Sequence, residues 1–154
     1  PPARAARRRR AEFQDKQSAL QRFTAGRGIF KTWSKPFVEA YLECGLLEKD
    51  EKTAVLRCDP ELEAQIFEAV PLDVWSYAAG IRCPVLVLRG EHSDAIGVES
   101  ARRLEQINPH FHTRTVESAG HFLTMEKPEE CAAEILDFIR KISPLPCGRT
   151  MIGW

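Results

Sequence analysis

Apolar positions along the chain follow two patterns that meet near residue 81. Before it, short stretches show helical spacing. Phe37, Val38, Tyr41 and Leu42 share a face, with Pro36 at the start and Gly45 at the end, the usual start and stop signals. A short extended piece, Ala54-Val55-Leu56-Arg57, leads to Asp59-Pro60, where Asp59 can cap backbone N–H groups and Pro60 has none to lose. Glu61 and Glu63 favour the positive end of the helix that follows, and Leu62, Ile66 and Val70 form its apolar stripe as far as Pro71. A further turn, Leu72 to Ala79, carries Trp75 and ends at Gly80. Residues 11–80 therefore read as short helices without strand alternation.

After residue 81 the pattern is that of a layered sheet. Pro84-Val85-Leu86-Val87-Leu88 is apolar on both faces, as a parallel strand covered on both sides requires, and it stops at Arg89-Gly90. Val98, Ala101 and Leu104 mark an amphipathic helix, and Phe111 to Val116 reads as a second strand. Pro128 opens a last helix with Ala132, Ile135, Leu136 and Ile139 at i, i+3, i+4 and i+7. Strand, helix, strand, helix in this order predicts an α/β layer with a crossover connection. Residues 143–154 have no period and two prolines, and read as an irregular tail.

Composition narrows the function classes. The 154 residues are 44% hydrophobic and 29% charged, enough apolar material for a core. The 22 basic residues equal the 22 acidic ones, which disfavours a nucleic-acid partner. The cluster Arg7 to Arg10 therefore reads as the solvated start of a first helix. No apolar run nears the roughly 20 residues that span a bilayer. Five scattered cysteines without a Cys-x-x-Cys pair argue against a zinc ribbon and fit a reduced, cytoplasmic protein. His110-x-His112 offers two nitrogens on one strand face but no nearby third ligand, so no metal site is expected there.

Two loops follow the C-terminal ends of the predicted strands, where α/β proteins build their sites: Gly90-Glu91-His92-Ser93-Asp94 and Glu117-Ser118-Ala119-Gly120-His121-Phe122. A carboxylate on one loop and an imidazole on the next can form an orienting pair, leaving one ring nitrogen free to take a proton. Taken singly, such an Asp is usually a turn former and such a His a surface residue.

The wording around these loops resembles the α/β-hydrolase family. Ile81 to Asp94 is similar to that family's penultimate core strand and acid loop. Val116-Glu117-Ser118-Ala119-Gly120-His121-Phe122, followed by Glu126-Lys127-Pro128-Glu129-Glu130, resembles its histidine loop and final helix. Residues 11–80, notably Leu56-Arg57-Cys58-Asp59-Pro60-Glu61-Leu62-Glu63-Ala64, resemble its inserted helical cap. The resemblance covers residues 8–142. It implies a mostly helical cap (1–80) on a partial α/β-hydrolase core (81–142) holding the last two parallel strands and their flanking helices. It also implies Asp94 as the triad acid, with Glu91 the runner-up, His121 as general base, and no organic cofactor. Phe30, Trp33, Phe37, Tyr41, Trp75 and Phe122 become candidates to line a pocket for an apolar or acyl small molecule, though packing is the commoner use of such rings.

The chain contains no Gly-x-Ser-x-Gly nucleophile elbow. Ser93 and Ser118 sit beside the acid and base candidates, but neither lies on a strand–turn–helix elbow. The expected activity is hydrolysis of an ester or similar carbonyl compound by a triad whose nucleophile is not in this chain. A catalytically inactive truncated relative, acting as a binding module or having no function, is the second reading. The strand at 84–88 would also lack a neighbour on one side, inviting association with another chain.

Overall fold

The computed structural model describes residues 2–25, 28–50, 52–71 and 73–142. The tail expected at 143–154 lies outside them. The contacts divide between Asp73 and Val74 into two units, so the segment carrying Trp75 belongs with the second.

The first unit runs α1 (Pro2–Arg7), β1 (Glu12–Phe13), α2 (Lys16–Phe23), a 3-10 turn (Gly28–Thr32), α3 (Lys35–Gly45), β2 (Leu46–Asp50), β3 (Thr53–Leu56) and α4 (Pro60–Glu68). It is mostly helical, but the expectation of helices without strand alternation needs correcting. A three-stranded antiparallel sheet of order β1-β3-β2 sits among the helices. Thr53–Leu56 does alternate, turning Ala54 and Leu56 inward. The other strands escaped notice for physical reasons. Glu12–Phe13 is only two residues long, and Leu46–Asp50 is an edge strand whose last three residues are charged and exposed.

Phe13, Ala19, Phe30, Val38, Leu42, Leu46, Ala54 and Leu56 form this unit's core, with Phe23, Trp33 and Tyr41 packed against it. The rings meet at tilted and edge-on angles, with centroids 4.7–6.2 Å apart, the favoured aromatic geometries. Asp59 caps α4 as its sequence implies, accepting from the N–H groups of Glu61 and Leu62 at 2.7 and 3.3 Å.

The face that α4 buries differs from the expected one. Ala64 meets Ala3 and Ala6 of α1, while Leu62, Ile66 and Val70 stay more than half exposed. Small side chains let the two helices approach, and arginines flank the contact. Arg7 bonds Glu61 and Glu68, and Arg9 bonds Glu63 and the Tyr41 hydroxyl. Two of the four arginines of the cluster Arg7 to Arg10 are thus paired with carboxylates of their own unit rather than simply solvated.

The second unit contains α5 (Val74–Gly80), β4 (Val85–Gly90), α6 (Val98–Ile107), β5 (Phe111–Val116), α7 (Leu123–Glu126) and α8 (Pro128–Ile142). β4 and β5 pair in parallel, Val85 opposite Phe111 through Gly90 opposite Val116. Asn108 is buried, and its amide nitrogen donates to the carbonyls of Ala78 and Ile81, tying α5 to the entry of β5. Glu105 on α6 accepts from both the backbone N–H and the hydroxyl of Thr113 on β5. Those two bonds hold its carboxyl below the usual range. Among the described residues, no helix is long and apolar enough to cross a membrane.

Candidate active site

Because β4 and β5 run parallel with their ends in register at Gly90 and Val116, the loops that follow leave the sheet side by side. The backbone then ties them together. Glu91 N–H donates to Val116 O and His92 N–H to Ala119 O, each at 2.9 Å. In return Ser118 N–H donates to the Glu91 carboxylate at 2.9 Å. The loops come so close at Gly90 that a Cβ there would lie 2.0 Å from Gly120 O and 2.5 Å from Ala119 O. Only glycine fits. Ser118 takes a positive φ of 52° at the turn that brings its N–H to Glu91.

Two further groups hold these loops, and sequence reasoning missed both. Glu126 on α7 accepts from Gly120 N–H at 2.6 Å, fixing the residue before His121. Arg89, at the end of β4, is buried and donates to loop carbonyls and to Thr115. The available signal was a charged residue ending an otherwise apolar strand.

Asp94 and His121 sit on these adjoining loops, and both side chains are exposed. Among the described residues no hydrogen bond joins them. The His121 ring meets Phe122 edge-on, with centroids 5.0 Å apart. Glu91, the runner-up acid, is engaged by Ser118 N–H and lies 3.8 Å from His92 Nε2. Ser93 is used in the acid loop's own turn, its N–H donating to Gly90 O and its hydroxyl accepting from Ala95 N–H. Neither Ser93 nor Ser118 lies between a strand and a helix as an elbow nucleophile does.

The candidate pocket residues fall in different places. Phe30, Trp33 and Tyr41 belong to the first unit's aromatic cluster, and Phe37 is half-buried on α3. Trp75 is covered by the Arg103 guanidinium, 4.1 Å from its ring, in the second unit. Phe122 is half-buried beside His121. The first unit also contains a cavity of about 250 Å³ lined by Arg9, Tyr41, Gly45, Leu56, Arg57 and Cys58, so Tyr41 is the one sequence candidate on its wall. His112 packs its ring against Phe138, and no group of three possible metal ligands occurs among the described residues.

No family model and no curated protein matches the chain. Solved structures do. A peroxisomal α/β-hydrolase of Saccharomyces cerevisiae superposes with a TM-score of 0.77 at 11% identity, covering 99% of this chain and 43% of that one. E-2-(acetamidomethylene)succinate hydrolase follows at 0.71 and 19%, covering 89% and 51%. An esterase of Mycobacterium tuberculosis gives 0.64 and 19%, covering 83% and 44%. The chain therefore has the fold of part of an α/β-hydrolase, and spans about half the length of these structures.

Proposed function

We propose that this chain is the cap and C-terminal core portion of an α/β-hydrolase, with Asp94 as the triad acid and His121 as the general base. The observation that carries the reading is the pair of tied loops at the C-terminal ends of β4 and β5, one bearing Asp94 and the other His121. Asp94 would orient the imidazole and stabilise its protonated form. His121 would take the proton of a hydroxyl as that oxygen attacks a carbonyl, then return it to the leaving group. A water, deprotonated by the same imidazole, would release the acyl product.

The nucleophile and the backbone donors that stabilise the oxyanion would come from sequence outside these 154 residues, which contain no Gly-x-Ser-x-Gly. The substrate class is an ester or similar carbonyl-bearing small molecule with an apolar or acyl part. The first unit would serve as the cap.

A second reading, a hydrolase-fold module that binds without catalysing, is favoured by the exposed apolar residues on α4 and α8. Kinetics separate the two. The chain by itself should not turn over short acyl esters, and turnover abolished by Ser93→Ala or Ser118→Ala would overturn the assignment of an external nucleophile. In the complete hydrolase, His121→Ala should lower kcat by about 10²–10⁴-fold. Wild-type turnover in that variant would remove His121 from the mechanism.

A further inference from the structure

Arg89 is 7% exposed at the penultimate position of β4, and its guanidinium reaches three places at once. Nε donates to the Ile96 carbonyl at 3.0 Å, Nη2 to the Glu91 carbonyl at 3.2 Å, and Nη1 to the Thr115 hydroxyl at 3.0 Å. Thr115 is its register partner on β5, so that bond anchors the group to the sheet. The two carbonyls straddle Asp94, one before it and one after it in the chain. We infer that Arg89 is the positioning residue of the acid loop, closing residues 91–96 onto the sheet so that Asp94 leaves a fixed backbone with its own carboxylate uncommitted.

The chemistry of the group supports this. A planar guanidinium offers five N–H donors in a rigid fork, so one residue can fix two segments of loop and a neighbouring strand together. Among the described residues no carboxylate pairs with it, so a cation is held away from water by neutral oxygens alone. That is a costly way to fill space, which an apolar side chain of similar size would do better. Its advantage is directional: it sets where the loop's carbonyls, and therefore its α-carbons, must lie. A catalytic carboxylate needs this kind of support, because small displacements of a reacting group cost rate steeply. Asp94 meets the other half of the requirement, being exposed on the loop and unpaired in it.

The inference rests on the reading of Asp94 as the triad acid, and two measurements separate the two claims. The first is amide hydrogen exchange on this chain with Arg89→Met and Arg89→Lys. Arg89→Met should speed exchange in residues 91–97 by about ten-fold or more while leaving α8 within about two-fold. Arg89→Lys, with one ammonium in place of the fork, should recover only part of the protection. If Arg89→Met unfolds the second unit, Arg89→Lys carries the same comparison. Unchanged exchange in 91–97, or an equal rise across the whole unit, overturns the inference whatever the protein catalyses.

The second measurement is turnover in the complete hydrolase. Arg89→Lys should lower kcat by about ten-fold with KM unchanged, and should cost nothing further when added to Asp94→Asn. Additive losses would make Arg89 a general stabiliser and overturn the positioning role. Full activity in Asp94→Asn would overturn the triad assignment instead, leaving the loop closure standing.

Discussion

At the residue scale, Gly90 is the tightest point of the molecule's candidate site. A methyl group there would collide with backbone oxygens of the histidine loop, and a backbone cannot step aside as a flexible side chain can. Gly90→Ala should therefore force the two loops apart and destabilise the second unit by about 3 kcal/mol, measured by denaturant unfolding. Gly97, with open space where its Cβ would be, is the matched control. Asp94 and His121 were legible as candidates because each follows a strand readable by its own pattern. Arg89 and Glu126 were not, because their roles consist of bonds to backbone atoms between two and seven residues away, and to a hydroxyl across the sheet. Nothing in residue order says which carbonyl a guanidinium will find.

At the element scale, the small-residue contact of α1 with α4 is flanked by carboxylates that pair with Arg7. Hydrogen bonds from Arg7 hold the carboxyls of Glu61 and Glu68 below their ordinary value of 4.5. A depressed carboxylate contributes stability above its unfolded value and loses it as pH falls through its folded one. The α1–α4 contact should thus weaken in acid, at and below the ordinary carboxylate range. Arg7→Ala should abolish that pH dependence, followed by exchange of α1 amides between pH 6 and 3. Both side chains are exposed, so raised salt should weaken the contact too.

The same scale shows where pattern misled. β4 and α8 announce themselves through their apolar residues, and β5 through the β-branched Thr113 and Thr115 between Phe111 and Val116. Yet α8 buries Cys131, while Ile135, Leu136 and Ile139 of its apolar stripe remain 42–52% exposed. The stripe was read correctly as an apolar face, but a two-stranded sheet leaves it little to cover. Single Ile139→Gln or Leu136→Gln substitutions in this chain should therefore change unfolding free energy by no more than about 0.5 kcal/mol, against the several that a packed core position costs.

At the scale of the whole molecule, these uncovered faces agree with the comparisons. The chain has the fold of part of an α/β-hydrolase, and spans about half the length of the structures it resembles. β4 pairs with β5 and with no other strand among the described residues. In the isolated polypeptide such an edge, beside exposed isoleucines and leucines, should promote self-association. Sedimentation velocity on the isolated polypeptide should show self-association that grows with concentration, and a sharp monomer across the range would count against that account. The 22 basic and 22 acidic residues balance, which leaves no net charge to draw in a polyanion.

Asp94 and His121 are proposed to serve a nucleophile which these 154 residues do not contain. Short acyl-ester hydrolysis tests this most directly, measured on this chain alone, on the complete hydrolase, and on the complete hydrolase with His121→Ala. The expected result is no turnover from the chain alone, turnover from the complete protein, and loss of about 10²–10⁴-fold on replacing His121. Turnover by the chain alone, or full activity without His121, would contradict it.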